Sequence, residues 1–152
     1  MGEVALVENE KLFVEISVAA YTTAKMLEKP HFAQAEEFKR ALPKMSGAAR
    51  EALSACTREK PSLARKKIEE INAQIEKASS STGRFQGSML AKARVKIGAD
   101  IYAHGASLGR ACELSGALKE NLQTYLGNTR LADKYQTMPA RERMRKATAL
   151  FA

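Results

Sequence analysis

The side chains in this sequence best suited to chemistry are cations, and they fall into three groups. Arg65, Lys66 and Lys67 form the first, Arg84, Lys92, Arg94 and Lys96 the second, and Arg141, Arg143, Arg145 and Lys146 the third. Lysine and arginine in such groups hold phosphate oxygens, through contacts that ignore base sequence and weaken with salt. The first group lies at the start of a helical stretch, where the helix dipole disfavours positive charge. Its placement therefore calls for a reason other than stability. Phe85 stands beside the second group as an aromatic face for stacking. Brought onto one face, these eleven side chains make a nucleic-acid-binding surface for DNA or RNA. Left on separate faces, they are the solvated charge of any basic helical protein.

Other chemistry is thinly represented. His104 lies eight residues before Cys112, a spacing without the one-turn geometry of a metal pair and without further ligands. As a general base it would need a positioned partner. Its place on an apolar stripe reads instead as a core or interface histidine, and His31, just after Pro30, as a capping or surface residue. Glu69 and Glu70 are adjacent and balanced by lysines, which does not make a catalytic pair. The stretch SSSTGRFQGS has the glycines, hydroxyls and arginine of an anion-binding loop, but no GK[ST] follows and no strand precedes it. A solvated hinge is the plainer reading. The offsets of a helix-turn-helix do not line up between Ala111 and Leu126. The sequence thus points away from an enzyme and implies no metal and no cofactor.

Composition and charge set the frame. The 152 residues are rich in alanine, lysine, glutamate, leucine and arginine and contain no tryptophan, the usage of long helices. Net charge is +8, unevenly spread. Residues 1–60 carry nine basic and nine acidic groups, whereas residues 61–152 carry sixteen and eight. A neutral half joined to a cationic half fits a polyanionic partner: nucleic acid, an acidic membrane face or an acidic protein. No apolar run approaches the ~18 residues of a transmembrane helix. The start, MGEVALVENE, lacks the basic and apolar regions of a secretory signal. Two distant cysteines, Cys56 and Cys112, fit small thiols in the cytoplasm or another reducing compartment.

The elements that must position the cations read as helices throughout. A first helix is expected from about Asn9 to Lys29, with Leu12, Ile16, Ala19, Thr23 and Met26 on one face and Val14, Val18 and Tyr21 on a second. Helices apolar on two faces are central to a fold or part of an oligomer interface. Pro30 marks a corner, and His31–Leu42 reads as a short helix ended by Pro43. Ser46 caps a third helix to about Lys60, with Ala49, Leu53 and Cys56 inward. Ser62–Ala78 follows with Ala64, Ile68, Ile71, Ile75 and Ala78 inward, and Ser79–Gly87 reads as a loop. Beyond a connector at Thr129–Thr137, Pro139 opens a last basic helix.

The longest stretch runs from Ser88 to Leu126. Leu90, Arg94, Ile97, Ile101, His104, Leu108, Ala111, Ser115, Leu118, Leu122 and Tyr125 recur at alternating steps of four and three, one face of a helix. Gly98, Gly105, Gly109 and Gly116 lie on a neighbouring stripe, each costing about 1 kcal/mol relative to alanine inside a helix. Close approach of another helix, from this chain or a second copy, is the compensation they imply. A break near Gly105 or Gly109 is the alternative. The expectation is therefore a single all-α domain, an irregular bundle of five to seven helices around one long helix at about 88–126. A basic, non-enzymatic binding or assembly protein follows. Its partner is nucleic-acid backbone within a nucleoprotein assembly, or else an acidic protein or its own copies, as a helical adaptor or structural subunit.

Overall fold

A computed structural model describes residues 2–81, 88–129 and 148, and among them the chain is all-α with seven helices and no strand. α1 (Gly2–Leu27) packs against α2 (Pro30–Ala33), α4 (Pro61–Ser81), α5 (Met89–Ala103) and α6 (Leu108–Ser115). Its two apolar faces explain that position, since Leu12, Val18, Ala19 and Met26 are all buried. Buried Thr22 satisfies its hydroxyl by donating to the Val18 carbonyl at 2.7 Å. The second helix is one turn, opened by Pro30 at its first position and burying Phe32.

α3 (Glu36–Thr57) corrects two expectations. It runs through Pro43 instead of ending there and restarting at Ser46. Pro43 lies on the exposed side, where water can hydrate the carbonyl left without its N–H partner. Its inward face is Phe38, Ala41, Met45, Ala48, Ala52 and Ala55. Ala49, Leu53 and Cys56 are one position out of phase and face solvent, Leu53 at 68% exposure. The buried alanine stripe lets α3 pack along α4, whose inward residues are those expected: Ala64, Ile68, Ile71, Ile75 and Ala78. These helices, with α1 and the start of α5, enclose the main core.

The long helix at 88–126 is not continuous, and of the two expectations it is the break near Gly105 that holds. The stretch is three helices: α5, α6 and α7 (Lys119–Asn128). Gly105 at φ 101° and Gly116 at φ 66° adopt left-handed backbone that terminates helices, and the Ser107 hydroxyl caps α6 by accepting from Arg110 N at 3.2 Å. The apolar spacing survives because each piece keeps its own inward residues around a second, smaller core of Ala99, Ala111, Ala117 and Leu122. The two members of the expected seam that are exposed, His104 and Leu118, sit at the breaks. No helix of the described residues is long and apolar enough to cross a membrane.

The glycine stripe therefore divides by role. Gly98 is buried, and a Cβ there would lie 2.7 Å from Ser115 Oγ, so α5 and α6 meet through it. Gly105 and Gly116 are turn residues, and around Gly109 none of the described residues would meet a Cβ within 4 Å.

Candidate nucleic-acid interface

Three consecutive residues on a helix point about 100° apart, and Arg65, Lys66 and Lys67 part accordingly around α4. Lys67 pairs with Glu51 on α3 at 2.8 Å and Glu70 at 2.9 Å. Hydrogen bonds to those two carboxylates hold its ammonium above the ordinary lysine value. Arg65 lines a different cleft, with Lys11, Glu15, Glu69, Arg94 and Glu113 among its walls, so three carboxylates offset its three cations. Lys66 is exposed. The first cluster therefore presents no common surface.

Arg94 is also committed within the fold. Its guanidinium meets the Glu15 carboxylate of α1 at 3.0 Å and donates to the Ser115 carbonyl at 3.5 Å. Asn72 of α4 donates to the same carboxylate at 2.9 Å, so Glu15 ties together three helices. That explains a cation in an apolar seam: its partner lies 79 positions away.

Lys92 and Lys96 differ from these. One helical turn apart on α5, they line a groove of about 690 Å³ whose other walls are Tyr21 of α1 and Asn121, Thr124, Tyr125 and Asn128 of α7. Ser88, Ala91 and Val95 complete its lining among the described residues, and the Asp100 carboxylate also acts on Lys96. The Lys96 ammonium stands 5.1 Å from the centroid of the Tyr21 ring, with Lys25 at 5.9 Å from the same ring. Both distances suit cation–π attraction. Side-chain hydrogen bonding to Tyr21 is the main influence holding Lys96 above the ordinary lysine value, so it stays charged at neutral pH. Ser88 shapes one end: it caps α5 by accepting from Ala91 N and donates to Glu76 at 2.6 Å. The groove thus offers fixed positive charge, aromatic rings and neutral amide and hydroxyl groups, a set suited to phosphate oxygens and flat rings.

Arg84, Arg141, Arg143, Arg145 and Lys146 lie outside the described residues. Their stretches of chain nonetheless join the described part at this groove: 82–87 leads into Ser88, and 130–147 follows within two residues of Asn128. The tyrosines and asparagines of the groove gave no signal in the sequence, where Tyr21 and Tyr125 read as core residues. Only tertiary packing brings them beside the lysines.

A second charged cluster ties α6 to α1. Arg110 pairs with Glu10 of α1 and, at 3.0 Å, with Glu113, which also meets Lys11 at 3.2 Å. The hydrogen bond from Arg110, and then that from Lys11, holds the Glu113 carboxyl below its ordinary value of 4.5. A depressed carboxyl adds stability that is present above its unfolded value and lost as pH falls through the folded one. Replacing Glu113 with glutamine should therefore lower the melting temperature at about pH 7, and that difference should vanish on acidification to about pH 3. An unchanged difference between the two pH values would remove Glu113 from the tie.

The histidines do not build a site. His104 is exposed at the end of α5 with Nδ1 2.7 Å from the Asp100 carbonyl, which corrects its assignment to the core. His31 is exposed against the Phe32 ring, as a surface residue. No group of three or more metal-ligating side chains occurs among the described residues. Comparisons with protein-family models, curated proteins and solved structures find no match for this chain.

Proposed function

We propose that this chain is a non-enzymatic helical protein that binds nucleic-acid backbone without sequence preference, as part of a larger nucleoprotein assembly. The observation that supports this most is the groove that brings Lys92, Lys96, Tyr21 and Tyr125 together. The uneven charge of the chain supports it further, with the whole +8 excess carried by residues 61–152. In this reading Lys92 and Lys96 take phosphates, and the basic stretches containing Arg84 and Arg141 to Lys146 extend the contact. Arg94 and Lys67 serve the fold, since each already holds a carboxylate.

The test is binding of labelled RNA and DNA oligonucleotides across a salt series. Affinity should fall steeply, with a log–log slope of magnitude about 2 or more, which corresponds to at least two phosphates. Absence of binding at about 50 mM salt would sink the proposal. The second reading is a helical adaptor engaging an acidic protein or its own copies, and the unpartnered apolar faces of α1 and α3 favour its self-association branch. A chain that binds polyglutamate as tightly as RNA at equal salt would favour the acidic-protein branch.

A further inference from the structure

On α1, one stripe remains uncovered: Phe13, Ser17, Ala20, Ala24 and Leu27, all exposed, with Phe13 at 67% and Leu27 at 52%. No charge interrupts it over about 21 Å of helix. Beside it runs a groove of about 480 Å³, walled by α1 from Ile16 to Leu27 and by α3 from Leu42 to Ala49, and floored by Ile68 and Ile71 of α4. None of its lining residues is charged. The uncovered side of α3 continues past the groove through Leu53 and Cys56. In a chain that is 28% charged, an uncharged face of this length marks an interaction surface.

We propose that this face is covered by a second copy of the chain, with the two α1 helices antiparallel and each seated in the other's α1–α3 groove. The stripe is self-complementary about Ala20. Phe13 and Leu27 lie seven positions to either side of it, so a two-fold axis there sets Phe13 of one copy against Leu27 of the other, twice. Between these bulky ends Ser17, Ala20 and Ala24 are small, which allows the two helix axes to come close. Opposed directions also oppose the two helix dipoles.

Electrostatics selects the same face. The groove is built mainly from residues 1–60, whose nine basic and nine acidic groups cancel, so two copies meet there without the repulsion that a contact through residues 61–152 would bring. A single helix pair falls short of the ~800 Å² per partner of a typical stable interface, and seating in the groove adds α3 and α4 to the contact. Lys92 and Lys96 line a separate groove, formed by α5, α7 and Tyr21 of α1, that shares no lining residue with this one.

Light scattering of the pure protein in about 0.5 M salt, where surface charge is screened, tests this directly. The expected mass is twice 16.6 kDa. Replacing Ala24 and Leu27 together with glutamate should return it to 16.6 kDa, with at least a hundredfold rise in dissociation constant. Leu118→Glu, at a site 71% exposed on neither α1 nor α3, should leave the dimer intact. Circular dichroism checks that each variant folds. Register is read by mixing Phe13→Cys and Leu27→Cys proteins, each with Cys56→Ser: oxidation should cross-link the mixture and neither protein alone. A single-chain mass up to about 100 μM, a dimer indifferent to the glutamates, or cross-linking of Phe13→Cys by itself would each overturn the proposal. A different protein as the occupant would appear as the first of these outcomes.

Discussion

Replacing Gly98 with alanine is expected to destabilise the protein by about 1–3 kcal/mol, and with leucine by about 3 kcal/mol or more. The direction is diagnostic, because glycine to alanine inside a helix ordinarily gains about 1 kcal/mol. Here the added Cβ would stand 2.7 Å from Ser115 Oγ and 3.4 Å from Leu122 Cδ2. Ser115 cannot simply turn aside. Its hydroxyl donates to the Ala111 carbonyl at 2.6 Å and accepts from Ala117 N at 3.2 Å, both in a buried setting. Moving it would strip partners from buried polar groups, at about 1–3 kcal/mol for each left unsatisfied. Gly109 is the control: with nothing within 4 Å of an added Cβ, its alanine variant should be neutral or slightly stabilising. Urea unfolding of the two variants gives the comparison. Equal stability would mean that α5 and α6 do not meet through Gly98.

The contrast between these glycines shows where the sequence could be read and where it could not. Four–three spacing identified helices because burial of one face forces that period, and α4 matches its expected inward residues one for one. The same spacing misled at 88–126. A stripe that passes smoothly through His104 and Leu118 carries no mark of the turns at Gly105 and Gly116, which depend on backbone sign and not on side-chain period. In α3 two uncharged stripes lie one residue apart, and only the neighbouring α4 decides that Ala48 and Ala52 go in while Ala49 and Leu53 stay out. Leu53, the one bulky apolar residue between Ala48 and Cys56, drew the expectation to the stripe that stays out.

The cations follow the same logic. Their positions were legible, but their roles depend on which carboxylates the fold sets against them. Glu15 takes Arg94, and Glu51 and Glu70 take Lys67, across sequence separations that no local pattern reports. Lys92 and Lys96 line a groove with Tyr21, Tyr125 and two asparagines, and Lys96 lies against the Tyr21 ring. A basic stretch is thus sorted by tertiary structure into charges that hold the fold and charges that line a groove.

That sorting sets the second large effect. Reversing Lys92 and Lys96 together to glutamate is expected to weaken RNA or DNA binding at least a hundredfold at about 50 mM salt, because two favourable phosphate contacts become two repulsive ones. The log–log salt slope should fall in magnitude by about 1.4–1.8, two phosphates at 0.7–0.9 each. Both lysines line the groove, so the loss of binding is read against the melting temperature of the same variant. Lys66→Glu, an equal reversal at an exposed site outside the groove, should cost no more than about threefold through the general field. Lys67→Glu should behave in the opposite way, lowering stability by setting three carboxylates together while leaving the groove untouched. Fluorescence anisotropy and thermal unfolding on the same samples separate the two kinds of cation. If Lys66→Glu weakens binding as much as the groove double variant, the contact is a diffuse field over the basic half, and the groove has no special part in it.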